Sequence, residues 1–134
     1  MKKIIFILIF SLLANVVVSQ EIHKKYQYKS KKTRNSTGWN ITDLDSLVLY
    51  KNGTFHRTRL FKFVKTFYLE LKGEWKVKND TIYLNIRHKK ENKSDTKWTK
   101  MNSYLYYVTK KRKLKPINGL EFRATHYLKL LKNK

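Results

Sequence analysis

Apolar and polar residues alternate strictly through the middle of the chain. Between residues 67 and 77 the odd positions are Phe67, Leu69, Leu71, Gly73, Trp75 and Val77. The even positions are Tyr68, Glu70, Lys72, Glu74 and Lys76. A period of two over this length predicts a β-strand with one buried face and one face in water. Similar shorter patterns on both sides predict an all-β fold, a single antiparallel meander of about six to eight strands.

The polar pair Asn79-Asp80 predicts a tight turn between two of these strands. With two residues in the turn, apolar residues face apolar residues along the ladder, which is the favourable arrangement. The predicted pairs are Val77 with Ile82, Trp75 with Leu84, Gly73 with Ile86 and Leu71 with His88.

The hairpin closed by Asn52-Gly53 has two registers that the sequence leaves open. A two-residue turn places Leu49 opposite His56, whereas a three-residue loop with a glycine bulge places Leu49 opposite Phe55. The second register gathers on one face Phe55, Arg57, Arg59, Phe61 and Phe63. Burial of phenylalanines, worth about 1.5–3 kcal/mol each, favours this register. It also encloses two arginines, so the interior must then be wet or must hold an anion.

A loop at residues 64–66 extends this favoured register into the next strand. The predicted pairs are Phe61 with Leu69, Arg57 with Gly73 and Phe55 with Trp75. Such a register matters because a slip of one residue moves every side chain to the other face of the sheet.

The same region carries a spaced pattern, Leu47-x-Leu49-x-x-Asn52-Gly53-Thr54-Phe55, then Gly73-x-Trp75 and Asp80-Thr81-Ile82-x-Leu84. The pattern resembles the strands of small bacterial secreted lipocalin-like domains, with a weaker echo between residues 104 and 116. The resemblance implies an antiparallel meander curled into a barrel or half-barrel. It brings no catalytic residue, because its Gly-x-Trp is a packing device. The chain departs from the pattern at Arg57 and Arg59, where apolar residues would be expected.

The beginning of the chain predicts a secretory signal peptide over residues 1–19. Lys2 and Lys3 precede an apolar run, and Val17 and Ser19 provide small side chains before a cleavage site at Gln20. The run is short for a membrane span, so we expect residues 20–134 to form one exported domain, periplasmic or extracellular, with no span after processing. The chain has no cysteine, which excludes disulfides and thiolate chemistry.

Positive charge is the strongest feature of the composition. The chain has 31 Lys and Arg against 9 Asp and Glu, a formal net charge of +22. Such a charge attracts polyanions, among them acidic polysaccharide, anionic lipid headgroups and nucleic acid. The lysines are scattered, so a bias of the coding sequence would also explain them, and both origins stay open. The basic residues from Lys24 to Arg34 favour a solvated arm; the alternative is a first strand with Ile22, Tyr26 and Tyr28 on one side.

Residues with catalytic or metal-binding chemistry are few and poorly spaced. No pair among the histidines has a spacing that presents two ligands on one face: His23, His56, His88 and His126. The favoured register places His56 and His88 on opposite faces. Asp43 and Asp45 are expected in a turn. No nucleophile-elbow or phosphate-loop motif occurs, so we expect no enzyme, no metal and no cofactor.

An anion clamp inside the barrel is the ligand site that the favoured register predicts. Two arginines would hold the head of an anionic amphiphile, because a guanidinium fork matches a carboxylate, and aromatic residues would contact its tail. The predicted site comprises Phe55, Arg57, Arg59, Trp75, Tyr104 and Tyr106. The alternative is a cationic protein that attaches to anionic cell-surface polymers or membranes through its lysine-rich exterior. Nucleic acid is not expected as a partner of an exported chain.

Overall fold

The computed structural model describes residues 21–34, 36, 38–92, 97–117 and 126–132. The predicted signal peptide lies outside the described residues. So do most of residues 120–127, whose sequence predicts a last strand or the start of a short helix. Within them the chain forms eight strands: β1 (Ile22–Arg34), β2 (Trp39–Tyr50), β3 (Thr54–Lys62), β4 (Thr66–Lys78), β5 (Thr81–Lys90), β6 (Thr99–Lys110), β7 (Lys113–Pro116) and β8 (Leu128–Leu130).

The strands follow one another around the sheet in chain order, and each neighbouring pair is antiparallel. β8 pairs with both β7 and β1, which closes the sheet into a barrel. The predicted all-β meander is therefore confirmed, with eight strands and complete closure. Closure leaves neither β1 nor β8 as an exposed edge where they pair.

Every strand contributes at least one buried side chain to a single core inside the barrel. The core residues are Tyr26, Leu47, Leu49, Phe55, Leu69, Leu71, Ile82, Leu84, Ile86, Leu105, Tyr107, Leu114 and Leu128. In β4 these are the odd positions of the alternating segment, and its even positions face outward, as the period of two predicts. In each strand, the face that carries the apolar residues thus turns toward the core.

The β4–β5 hairpin has the predicted register at its turn and a bulge further along. Val77 pairs with Ile82, Trp75 with Leu84 and Gly73 with Ile86, as predicted. One extra residue of β5 then shifts the register, so Leu71 lies opposite Lys89 and not opposite His88, where the prediction was wrong. Glycine permits this bulge, because a Cβ on residue 73 would lie 1.9 Å from the Asn85 carbonyl oxygen.

In the β2–β3 hairpin, Leu49 pairs with Phe55, which confirms the register with a glycine bulge. Gly53 has a φ of 87°, a conformation that favours glycine. The next loop spans 63–65, one residue earlier than predicted, so Phe61 lies opposite Phe67 and Arg57 opposite Leu71. The predicted pairs were wrong by two residues. A shift of two keeps every side chain on its predicted face.

Two further predictions need correction. The basic segment before Arg34 was expected to be a solvated arm, but it pairs with β2 along almost its whole length as strand β1. In β6 the inward residues are Leu105 and Tyr107, whereas Tyr104 and Tyr106 belong to the outer face. The inward face is set by the pairing of Leu105 with Leu84 of β5.

Candidate functional site

The predicted ligand-binding residues divide between the two faces of the barrel. Phe55, Arg57 and Arg59 of β3 are buried, and Trp75 of β4 packs partly buried against the same core. The other two predicted residues are not brought to them. The Tyr104 side chain is 46% exposed and stacks on Tyr106, with ring centroids 6.3 Å apart. Tyr106 in turn meets the ring of Tyr83 edge to face on the outer surface.

Arg57 lies at the centre of a buried polar network. Its Nε donates to Asp45 Oδ1 at 3.0 Å and its Nη2 to Asp45 Oδ2 at 2.7 Å, a bidentate pair. Its Nη1 donates to the hydroxyl of Tyr107. All three guanidinium nitrogens therefore have partners supplied by β2 and β6 of the same chain.

Asp45 has a second hydrogen-bond partner, His126, which lies just before β8. The distance between His126 Nε2 and Asp45 Oδ2 is 2.7 Å. The imidazole ring stacks on Tyr28 of β1 with centroids 4.0 Å apart, which fixes its orientation. The network thus joins five parts of the barrel: β1, β2, β3, β6 and the segment before β8.

Charge compensation sets the ionisation of this network. Burial alone would raise the pKa of Asp45, but the charge of Arg57 and the hydrogen bonds from His126 and Arg57 outweigh it and hold that pKa well below its usual range. Burial would likewise lower the pKa of Arg57, and the facing Tyr107 and Asp45 together raise it instead. Burial raises the pKa of Tyr107, which keeps its hydroxyl protonated. Asp45 and Arg57 are both charged inside the barrel.

A second, looser pair lies one step along the same strands. Arg59 Nε is 3.5 Å from Asp43 Oδ1, and Arg59 Nη2 is 3.4 Å from Asp43 Oδ2. Both side chains remain slightly exposed. His126 Nδ1 lies 3.9 Å from Asp43 Oδ2, so the imidazole stands between the two carboxylates.

The expectation that Asp43 and Asp45 lie in a turn was wrong, because both belong to β2. The sequence contained a signal for their position. They continue the odd-numbered row of Leu47 and Leu49, so the alternation alone turns them inward. Two inward carboxylates beside two inward guanidinium groups satisfy the condition that the interior must hold an anion.

The interior anion is therefore part of the chain. A ligand carboxylate that approached Arg57 would compete with Asp45 for the same fork of donors. Binding of an amphiphile by Arg57 and Arg59 stays a prediction.

The outer surface carries a different kind of cluster around Trp98. The ammonium groups of Lys72 and Lys90 lie 4.2 Å and 4.5 Å from the centre of its indole ring, within cation–π range. Lys90 Nζ is also 3.9 Å from Glu70 Oε2. His56 Nε2 lies 3.4 Å from Glu70 Oε1 but lacks hydrogen-bond geometry. The Trp98 ring thus contacts two lysines, of which Lys90 is also paired with Glu70.

His56 and His88 lie on the same outer face, which corrects the prediction that they point to opposite faces. Each is the cross-strand partner of Lys72, from β3 and from β5. The bulge in β5 is the cause, since the extra residue reverses the alternation beyond it. Both line one open depression of about 450 Å³ beside Trp98. Within the described residues no group of three His, Asp or Glu could hold a metal ion.

A second depression, of about 630 Å³, lies beside the β6–β7 turn. Apart from Leu130 its lining is entirely cationic: Lys110, Lys111, Arg112, Lys113, Lys129 and Lys132. We call these six residues the basic cluster. Sequence reasoning treated the lysines as scattered and missed this grouping, because it depends on the pairing of β7 with β8.

No protein-family model and no curated protein matches the chain. Among the described residues, no helix has the length and apolar character needed to span a membrane. The geometry of the barrel and its charges therefore carries the functional argument.

Proposed function

We propose that this chain is an exported, non-enzymatic protein, similar to small bacterial secreted lipocalin-like domains, that attaches to anionic cell-surface polymers through its lysine-rich exterior. The basic cluster is the candidate contact site. The observation that carries the proposal is the distribution of charge over the barrel. Almost all of the described acidic residues form ion pairs with neighbouring basic residues. The segments that contain the basic cluster, 110–117 and 126–132, have no acidic residue.

The described acidic residues are already engaged with cations. Six of the seven described acids form an ion pair with a neighbouring basic residue. The pairs are Glu21–Lys51, Asp43–Arg59, Asp45–Arg57, Glu70 with Lys90 and His56, Glu74–Arg87 and Glu91–Lys89. Asp80 sits in the β4–β5 turn, where it contacts Thr81. The described acidic residues therefore leave little negative charge to balance the basic cluster.

Within the basic cluster, like charges face each other across the sheet. Lys113 is the cross-strand partner of both Lys110 on β6 and Lys129 on β8. Residues 110–117 and 126–132 contain no Asp or Glu. Like charges directly opposite each other destabilise a sheet. A bound polyanion removes this repulsion and releases its own counterions, so attachment is favourable and falls steeply with salt concentration.

The test measures binding of the chain from residue 20 onward to dextran sulfate as a probe. The triple variant Lys110→Gln, Lys113→Gln and Lys129→Gln should bind at least about tenfold more weakly, since a lysine near an anionic surface contributes about 1 kcal/mol. The matched control removes three exposed lysines elsewhere, Lys24, Lys76 and Lys78. If both variants lose the same affinity, binding is diffuse and the basic cluster is not the site.

An anionic amphiphile inside the barrel is the second candidate. Barrels of eight strands are at the size where the interior either is filled by side chains or holds one small ligand, and Phe55 and Arg57 face that interior. Native mass spectrometry of the protein purified from an exporting host tests it. A bound molecule that organic extraction removes would support a carrier role. A chain without a bound molecule would favour attachment to anionic polymers over the carrier role.

A further inference from the structure

One end of the barrel exposes a group of large apolar side chains. Trp39 is 48% exposed, Phe63 36%, Val64 65% and Phe67 44%. We call these four residues the apolar rim. They lie where the β1–β2 and β3–β4 hairpins end, which is the end opposite to the β6–β7 turn and its basic cluster.

Strand pairing brings the two hairpins together at this end. Thr42 of β2 pairs with Lys62 of β3, and Lys62 pairs with Thr66 of β4. The Trp39 and Phe63 rings meet edge to face, with centroids 5.3 Å apart. Trp39 and Phe63 are therefore in contact, and Val64 and Phe67 lie beside them at the same hairpin end.

The rim continues the inward rows of its strands past the core. Trp39 has the parity of Asp45 and Leu47 in β2, and Phe67 that of Leu69 in β4. β1 and β2 have 13 and 12 residues, whereas β7 and β8 have 4 and 3. The long strands therefore extend beyond the short ones, and the ends of their inner faces stay open to solvent.

The two segments that carry the rim are rich in positive charge. Lys62 and Lys65 border the β3–β4 loop, and Lys31 and Lys32 lie on β1 beside the end of β2. All four lysines are exposed. The segments 29–42 and 60–69 contain six Lys or Arg and no Asp or Glu. A second copy would present the same positive border, so self-association through this patch is opposed by repulsion, and the complementary partner is anionic.

We infer that the apolar rim inserts into the headgroup region of an anionic phospholipid bilayer, with the flanking lysines on lipid phosphates. Exposed aromatic patches mark interaction sites, and tryptophan suits the interface between headgroups and acyl chains. Apolar burial and attraction to anionic lipid add together in such binding. The site is separate from the basic cluster and does not depend on polymer binding there.

The test uses vesicles of phosphatidylcholine, alone or mixed with phosphatidylglycerol, and co-sedimentation of the chain from residue 20 onward. The parent should bind the mixed vesicles. The triple variant Trp39→Ser, Phe63→Ser and Val64→Ser should bind at least about tenfold more weakly, because it removes three apolar groups from the contact. The matched control Ile22→Ser with Val77→Ser changes exposed apolar residues away from the rim and should bind like the parent.

A single substitution keeps the test valid if the triple variant unfolds. Val64 is the most exposed residue of the rim, so Val64→Glu should fold and should lose binding to the mixed vesicles, whereas Val77→Glu should retain it. The lysine variant Lys62→Gln with Lys65→Gln should bind mixed vesicles more weakly and lose part of the salt dependence.

Three results would overturn the inference. One is equal vesicle binding by the parent and the rim variants. Another is binding to phosphatidylcholine alone that matches binding to mixed vesicles. The third is self-association that the rim variants abolish without any vesicle binding, which would assign the patch to a second copy. The basic-cluster variant should still bind vesicles, so failure of the polymer proposal and failure of this inference are distinguishable.

Discussion

Two arginine–carboxylate pairs in this barrel have the same chemistry and opposite surroundings. Arg57 and Asp45 join β3 to β2 inside the barrel, with side chains 3% and 0% exposed and a shortest distance of 2.7 Å. Arg87 and Glu74 join β5 to β4 outside it, with side chains 48% and 57% exposed and a distance of 3.1 Å. The distances are similar, so burial decides what each pair contributes. Removing one partner of a buried pair leaves an uncompensated charge in a medium that solvates it poorly.

The largest effect is expected for Asp45→Asn. The variant keeps the shape of the side chain but leaves the buried Arg57 charge without its counterion, so the free energy of unfolding should fall by about 3–5 kcal/mol. Urea denaturation followed by circular dichroism measures it. The double variant Asp45→Leu with Arg57→Met removes both charges and should recover much of the loss. A fall below about 1 kcal/mol in the single variant would show that the interior is well hydrated.

A smaller effect should appear in the pH dependence of stability. Because the pKa of Asp45 is depressed in the folded state, its contribution is complete above the unfolded value of about 4 and declines as pH falls below it toward the folded pKa. The parent should therefore lose more stability than Asp45→Asn when pH is lowered from roughly 5 to 2. Urea midpoints at several pH values give the difference, in which the other acids cancel. Parallel curves would contradict the depressed pKa.

Asp43→Asn should lower the free energy of unfolding by less than Asp45→Asn does and by more than Glu74→Gln does. Its contacts with Arg59 are 3.4 and 3.5 Å long and both side chains reach some solvent, so the loss should be about 1–2 kcal/mol. The same urea experiment measures it. A loss as large as that of Asp45→Asn would mean that the two pairs act as one network through His126.

Glu74→Gln removes the carboxylate of the exposed Arg87–Glu74 pair. Water solvates both partners, so the free energy of unfolding should change by less than about 0.5 kcal/mol, and less still at high salt. Thermal unfolding at two salt concentrations checks this. A loss comparable with that of Asp43→Asn would show that exposure does not separate these pairs.

The alternation of residues was sufficient to predict most of the fold. It gave β3 to β6 and part of β2, the glycine bulge of the β2–β3 hairpin and the first three pairs of the β4–β5 hairpin, but not β1, β7 or β8. It failed for the inward face of β6, because tyrosines occupy both parities there and only the pairing of Leu105 with Leu84 selects the inner face. The bulge in β5 was also missed, although a glycine inside a strand is a known sign of close backbone approach.

The candidate site was only half predictable. Arg57 and Arg59 were found because their parity matches that of Phe55, and burial energetics then required an interior that is wet or holds an anion. The anion itself was sought outside the chain, because isolated aspartates are common in turns. His126 could not have been added, since its contact with Asp45 depends on barrel closure and not on any local spacing.

Closure by β8 has a consequence for how the chain acquires its structure during synthesis. Tyr26 of β1 pairs with Leu130 of β8, and Asp45 contacts His126 just before β8. The β1–β8 pairing and the complete set of partners of Asp45 therefore form only after the last described strand has been made. Pairing between such distant residues is slow. A nascent chain that still lacks β8 carries two unpaired edges and an interior that is short of one partner. Such a chain is therefore easier to unfold than the closed barrel for as long as β8 has not been made.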